Sequence, residues 1–208
     1  MTTFDAATDA IIAVGARLDR AGLVPATAGN YSVRLSDGTF AVTVSGGHKG
    51  RLAPEQVMQV DADGVSLDGK RPSAETLLHC LIYAIDDSAG GVLHTHSVPG
   101  VVLSRALRDV REIVFDGYEL LKIFPGIDTH AARVALPLVE NNQDMMAMAA
   151  VLRPLLTAQH PIVPAFYIRG HGLYAWGPTI AEAEHVTEAV EYLLACEWET
   201  LKLERSRA

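Results

Sequence analysis

Residues 91–97, GVLHTHS, combine a short apolar run with two histidines that stand two positions apart. The apolar run predicts a buried strand. On a strand, residues i and i+2 point to the same face, so the imidazoles of His94 and His96 can reach one cation. A third ligand must come from elsewhere, and the best candidate is His171. It lies in Arg169-Gly170-His171-Gly172, where the glycines allow a sharp turn and a close approach of the backbone to a metal.

Three neutral imidazoles leave one coordination position open, which is the pattern of a catalytic zinc site. Taken alone, an HxH pair also fits the half-exposed face of a strand. The five other histidines of the chain fit no ligand spacing as clearly. His79 stands four residues after Glu75 on a predicted helix, so the two share a face. These two residues either support the metal site or simply form a hydrogen bond with each other.

Outward from this strand, helical and strand periodicities alternate along the whole chain. The predicted helices cover residues 4–21, 73–85 with Ser73 as the cap, 98–107, 145–156 and 179–203. The predicted strands cover residues 31–35, 40–45, 91–96, 113–115, 134–139, 166–169 and 172–176. Several neighbouring strands have the short turns of hairpins. The pattern therefore predicts an α/β protein with a largely antiparallel or mixed sheet and helices on its faces.

Composition excludes several classes of protein. The 208 residues show no linker and no repeat, so we expect one domain over 1–208. The net charge is −8 without a cluster of lysines and arginines, which argues against nucleic acid as a partner. No stretch reaches the roughly 20 apolar residues of a membrane span, and the first residues do not resemble a signal peptide. The two cysteines, far apart, are expected as free thiols in a reducing cytoplasm.

Two loops carry small hydrogen-bonding residues and glycine, namely 27–30 (TAGN) and 45–47 (SGG). Such loops can present backbone N–H groups to a phosphate, and Ser73 would add a hydroxyl at a helix start. The same residue types also form ordinary turns and caps. Glu75 and Glu119 are the acidic residues of interest, although an isolated glutamate such as Glu119 is usually a solvated surface charge.

Five segments together resemble the class II aldolase and adducin family, and the resemblance covers about residues 8–203. They are PATAGNYSVRL (25–35), TVSGGHKGRL (43–52), KRPSAETLLH (70–79), VLHTHS (92–97) and YIRGHGLYAWG (167–177). The resemblance implies a single-domain, three-layer αβα fold with a central, mainly antiparallel (mixed) sheet. It also implies a homotetramer with active sites at the subunit interfaces.

For the site, the resemblance implies one Zn²⁺ per subunit, a phosphorylated ketose as substrate and Glu119 as the acid/base. The implied metal ligands are His94, His96 and His171. The implied phosphate contacts are Thr27, Asn30, Ser45, Gly46 and Ser73. Lys49 lies in a segment typical of the family's dehydratases and is a further candidate for binding the phosphate or the substrate.

Within the family, three segments resemble dehydratases more than sugar-phosphate aldolases: 43–50, 115–124 (FDGYELLKIF) and 137–145 (PLVENNQDM). The chain departs from the animal dehydratases, which carry a cysteine at the position of Glu75. Glutamate there resembles many bacterial dehydratases and also the aldolases, in which it is an acid/base or an extra metal ligand. An aldolase or epimerase acting on another sugar phosphate is therefore the alternative. The third interpretation is a non-catalytic interaction module. Such a module would not need three ligand histidines.

Overall fold

The computed structural model describes residues 2–158 and 163–207, and in that part of the chain helices and strands alternate as predicted. The helices are α1 (Phe4–Arg20), α2 (Thr76–Ile85), α3 (Val98–Ala106), α4 (Met145–Ala158) and α5 (Ile180–Arg205). The strands are β1 (Asn30–Arg34), β2 (Phe40–Thr43), β3 (Val57–Val60), β4 (Gly91–Thr95), β5 (Glu112–Asp116), β6 (Arg133–Val139), β7 (Ala165–Ile168) and β8 (Gly172–Gly177). Every predicted element is present with its ends shifted by at most three residues.

The eight strands form one sheet in the order β3-β2-β1-β4-β8-β7-β6-β5. Only β6 and β7 pair in parallel, and the other neighbours are antiparallel. The predicted mainly antiparallel, mixed sheet is therefore confirmed. The strand β3 was not predicted, because Val57-Met58-Gln59-Val60 is short and shows no alternation of apolar and polar residues. It is a strand because it pairs with β2, with Phe40 opposite Val60.

Helices cover both faces of the sheet, which confirms the three layers. On one face, α2 and α4 pack against the sheet through residues such as Leu78, Leu152 and Trp176. On the other face, α1, α3 and α5 bury residues such as Val14 and Leu193. None of the described helices is long and apolar enough to cross a membrane.

The strand β4, which carries His94, lies in the middle of this sheet, between β1 and β8. Asn30 of β1 and Tyr174 of β8 both stand opposite His94 of β4. His171 lies in the turn that joins β7 to β8, where its N–H donates to the carbonyl of Ile168. The topology therefore brings segments that are distant in the sequence to one end of three central strands.

Candidate active site

The structure brings the three predicted histidines together at the end of β4. The ring centroids of His94 and His96 are 4.5 Å apart. The ring centroid of His171 lies 5.0 Å from that of His94 and 4.8 Å from that of His96. One ring nitrogen of each residue lies within 4.8 Å of the others, and the group can hold a metal ion. The Nε2 atoms of His94 and His96 are 2.9 Å apart, so both face the same point.

The surroundings of His94 fix which nitrogen is available to a metal. Its Nδ1 lies 2.8 Å from the carbonyl oxygen of Leu173, and a carbonyl can only accept, so Nδ1 carries the proton and Nε2 keeps its lone pair. Tyr174 stacks on the ring at 4.0 Å. Burial lowers the pKa of His94 well below its usual value and lowers the pKa of His96 to about 4. Both rings are therefore neutral at pH 7, which is the form that binds a metal.

The two glycines beside His171 have different tasks. Gly170 has a φ of 64°, the left-handed conformation that the turn requires. A Cβ at Gly172 would lie 2.1 Å from the carbonyl oxygen of Thr95 and 2.8 Å from the His94 ring. The close backbone approach that the sequence analysis expected at Gly172 is thus made to β4.

Glu75 places a carboxylate against the same histidines. Its Oε1 lies 3.0 Å from Nε2 of His171 and 3.7 Å from Nε2 of His94, and its Oε2 accepts a 2.6 Å hydrogen bond from Asn30. Burial alone would raise the pKa of Glu75. The hydrogen bond from His171, the nearby imidazoles and the Asn30 amide outweigh burial and lower the pKa to about 2. Three imidazoles and one carboxylate are a donor set that fits zinc or a similar divalent cation.

Glu75 and His79, which the spacing predicted to share one face of a helix, are connected through a third residue rather than directly. Glu75 caps α2, whereas His79 is buried within it. The amide of Asn30 stands between them, because it donates to Glu75 and its Oδ1 forms a hydrogen bond with Nε2 of His79. His79 therefore supports Glu75 through a residue of β1.

The predicted phosphate segments also come together. The amide of Ser45 donates to the carbonyl of Arg71, which joins the second loop to the segment of Ser73. The hydroxyl of Ser73 accepts a 3.3 Å hydrogen bond from the amide of Glu75. Gly46 has a φ of 80°, and Ser45 and Gly46 are exposed to solvent. Ser45 and Gly46 thus lie at the surface, and the segment of Ser73 leads directly to Glu75.

Lys49 connects the two glycine-containing loops. Its side chain is buried, with only 2% of the residue exposed, and Nζ donates to the carbonyls of Thr27 at 3.0 Å and Gly47 at 2.5 Å. Burial lowers the pKa of Lys49 to about 8, while the negative charge of Glu75 acts in the opposite direction. A positive charge therefore lies beneath both loops at neutral pH, which the sequence segment alone did not reveal.

Glu119 is the one predicted site residue that lies elsewhere. It begins a short 3-10 helix (Glu119–Ile123), and 72% of its side chain is exposed. Its carboxylate pairs with Lys122 and lies 3.7 Å from Nδ1 of His130. It lines a surface depression together with His185, separate from the histidine group. Within one chain, none of the hydrogen bonds or ion pairs of the described residues joins Glu119 to His94, His96 or His171.

Two further features were not singled out from the sequence. Thr95, between the two histidines, points to the opposite face of β4 and donates a 2.6 Å hydrogen bond to the buried carboxyl of Glu191 in α5. This contact anchors the ligand strand from behind, and strand alternation was the signal that could have revealed it. The second feature is a depression of about 390 Å³ beside His96 and His171. Its apolar wall consists of Pro25, Val98, Val101 and Val102.

Comparisons with known proteins agree with this arrangement. The sequence profile of the class II aldolase and adducin N-terminal domain matches residues 9–198. The chain is 50% identical to the methylthioribulose-1-phosphate dehydratase of Gluconacetobacter diazotrophicus, over 94% of each chain. It is 48% identical to the enzyme of the same name from Hahella chejuensis, over 93% of each.

Among solved structures, the L-fuculose-1-phosphate aldolase of Thermus thermophilus superposes with a TM-score of 0.70 at 27% identity. The match covers 95% of this chain and 94% of the aldolase. The sequence segments, the fold and these comparisons agree: the chain belongs to the class II aldolase and adducin family.

Proposed function

We propose that this chain is a methylthioribulose-1-phosphate dehydratase of methionine salvage. It would convert 5-methylthioribulose 1-phosphate into 5-methylthio-2,3-dioxopentyl phosphate and water in the cytoplasm. The observation that carries the proposal is the identity of 48–50% to relatives of that name, over more than nine-tenths of each chain. The aligned region includes all the segments that build the histidine group and the loops.

His94, His96 and His171 would hold one Zn²⁺ per subunit, although imidazole-rich sites also accept iron, cobalt or nickel. When bound, the metal supplies a Lewis acid that stabilises negative charge on the substrate oxygens at C2 and C3. The neutral imidazoles of His94 and His96 favour this role, because neither has to lose a proton before it binds the ion.

The phosphate group would be held by the loop residues Thr27, Asn30, Ser45, Gly46 and Ser73. The contacts that unite these segments support this placement, as does the buried ammonium of Lys49 between two of them. Binding the phosphate away from the reacting carbons positions the substrate for the chemical step. The uncharged methylthio end would lie against Val98, Val101 and Val102 in the depression beside His96.

The chemical step moves one proton and expels one hydroxyl. Glu119 would take the proton from C3 and return it to the C4 hydroxyl, which leaves as water, and the enol then becomes the 2,3-diketone. Because Glu119 is exposed and its ion pairs are with Lys122 and His130 rather than with the histidine group, we propose that a neighbouring copy provides it. A homotetramer with sites between subunits, built from domains spanning 1–208, would supply that arrangement. Glu75 is the alternative acid/base, since its carboxylate already lies at the histidines.

The second candidate is an aldolase or epimerase acting on another sugar phosphate. The position of Glu75 beside His171 favours it, since the aldolases of the family carry glutamate there. Both functions need the same stabilised charge at C2 and C3, but an aldolase breaks a carbon–carbon bond.

The deciding experiment is metal analysis of the purified protein followed by parallel assays. We expect 5-methylthioribulose 1-phosphate to yield the diketone, and L-fuculose 1-phosphate to yield no cleavage products. Cleavage of L-fuculose 1-phosphate, without dehydration of the methylthio sugar, would replace the proposed function by the second candidate.

A further inference from the structure

A chain of buried hydrogen bonds begins at Glu75 and ends inside the protein. Asn30 donates to Glu75 at 2.6 Å, and the other side of its amide meets Nε2 of His79. Nδ1 of His79 lies 2.7 Å from the hydroxyl of Ser32, which in turn lies 2.9 Å from the hydroxyl of Tyr83. Ser32 is fully buried, and Asn30, His79 and Tyr83 are at most 6% exposed.

The chemistry of these groups allows only one direction for the hydrogen bonds. The carboxylate of Glu75 accepts, so the NH₂ group of Asn30 must face it and Oδ1 must face His79. Nε2 of His79 must then carry the proton. A neutral imidazole carries only one, so Nδ1 accepts from Ser32, and the Ser32 oxygen accepts from Tyr83. Burial raises the pKa of Tyr83, so its hydroxyl keeps the proton that it donates.

We propose that His79, itself oriented by Ser32 and Tyr83, is a positioning residue that fixes the amide of Asn30. With its oxygen committed to His79, the amide offers two N–H groups on the side of the site. One holds Glu75 against the histidines. The other makes no hydrogen bond to the described residues and lies at the end of the first phosphate loop, available to the substrate's phosphate. This last point rests on the proposed function.

The hydrogen bonds prevent the side-chain amide of Asn30 from adopting the flipped orientation. It would turn an oxygen toward the carboxylate of Glu75 and toward the phosphate, so that two attractions become repulsions. Asparagine has no intrinsic preference between the two orientations, and only its partners decide. Because Ser32, His79 and Tyr83 are at most 2% exposed, each missing partner among them leaves a polar group unsatisfied, which makes the selection strong.

The direct test is the tautomer of His79, measured by nitrogen-15 NMR on the whole metal-free protein and again with zinc bound. We expect the proton on Nε2 of His79, whereas His94 should carry its proton on Nδ1 in the metal-free protein. A proton on Nδ1 of His79 would reverse the hydrogen-bond chain and overturn the proposal.

A graded set of variants tests the consequence, with inorganic phosphate as the probe. Ser32→Ala removes the donor that holds the His79 tautomer, and Tyr83→Phe removes only the last hydroxyl. We expect the dissociation constant for phosphate to rise about 10-fold in the first variant, which is the effect of one misplaced hydrogen bond, and less in the second. Zinc affinity should also fall more in Ser32→Ala than in Tyr83→Phe, because the Asn30 amide then holds Glu75 less firmly.

Tyr31→Phe is the matched control. Tyr31 follows Asn30 in β1, is fully buried on the opposite face of the sheet, and its hydroxyl has no partner among the described residues. It should leave the His79 tautomer and the phosphate constant unchanged. If Ser32→Ala lowers the melting temperature but changes neither phosphate binding nor the His79 tautomer, these hydrogen bonds have only a structural role and the proposal fails. A protein that shows the expected tautomer and phosphate responses but dehydrates no methylthio sugar supports the proposal and contradicts the proposed function.

Discussion

Asn30 lies directly opposite His94 in the antiparallel pairing of β1 with β4. Neighbouring strands are separated by about 4.8 Å, so the end of the loop 27–30 and a histidine of the candidate metal site are one strand apart. A Cβ at Gly29 would lie 2.6 Å from the carbonyl oxygen of His94, and Gly29 has a φ of 79°. The absence of a side chain there lets the loop reach the metal end of the sheet. The proposed ketose phosphate would therefore contact both at once.

The first prediction concerns the metal. The His94→Ala, His96→Ala and His171→Ala variants should each lower zinc affinity by more than about 100-fold, because each removes a ligand rather than a support. Metal analysis after dialysis measures the loss. His130→Ala, at an exposed histidine, should retain the wild-type zinc content. Full zinc occupancy in His171→Ala would show that the turn histidine is not a ligand.

The second prediction concerns Glu119. Glu119→Gln should keep zinc and the fold, because its contacts are to Lys122 and His130, whereas turnover should fall roughly 100-fold or more. Glu55→Gln is the control, since Glu55 is also an exposed glutamate in a short 3-10 helix. Near-normal turnover in Glu119→Gln would transfer the acid/base role to Glu75.

The third prediction tests whether a neighbouring copy provides Glu119. Glu119→Gln and His94→Ala proteins should each be inactive alone. When the two are unfolded together and refolded as a mixture, some sites combine a native histidine group with a native Glu119, and activity should return in part. A mixture that stays as inactive as its components would place both groups of each site in the same subunit.

The fourth prediction concerns the phosphate. Asn30→Ala and Ser73→Ala should raise the Michaelis constant for the phosphorylated substrate about 10- to 100-fold, the effect of losing one charge-assisted hydrogen bond. Inorganic phosphate should inhibit the wild type weakly and these variants less. Ser36→Ala, in the exposed hairpin turn, is the control. Equal turnover of the unphosphorylated sugar would show that these loops are ordinary turns.

The fifth prediction concerns stability against acid. Burial lowers the pKa of His79 to about 4, whereas an unfolded histidine titrates near 6.5. The unfolded state thus binds the proton first as pH falls, so the stability due to neutral His79 is complete above pH 6.5 and is lost toward pH 4. At about 1.4 kcal/mol per pKa unit, the loss is of order 3 kcal/mol.

Urea unfolding of the metal-free protein at pH 7 and pH 4.5 measures this loss. His79→Gln should be less stable at pH 7 but should lose less on acidification than the wild type. The corresponding His130→Gln variant should follow the wild type, because His130 is exposed. An unchanged pH dependence in His79→Gln would mean that His79 is protonated in the folded protein.

The sequence predicted what depends on local spacing. The HxH pair on a strand needs only strand alternation, and His94 and His96 indeed point to one side. Hairpin turns and helical periodicity were sufficient for the order of elements. The strand β3 was missed because its four residues have no pattern of their own and depend on pairing with β2.

Contacts between distant segments were beyond such reasoning. Asn30 was predicted for the phosphate only, and its bond to Glu75 exists because β1 pairs with β4 while α2 packs across them. The buried position of Lys49 depends equally on two loops that meet in space. The proposed place of Glu119 in the site of another copy would depend on how copies assemble, which the pattern of one chain does not contain.

The central place of β4 also determines when the candidate metal site would form. His94 is paired with Asn30 on one side and Tyr174 on the other, partners that are 64 and 80 positions away in the sequence. Closing loops of this length costs entropy before any contact compensates it, so these pairings form slowly. Cobalt absorbance during refolding should therefore lag behind the circular dichroism of the helices. The nascent chain would carry its HxH pair long before it holds an ion.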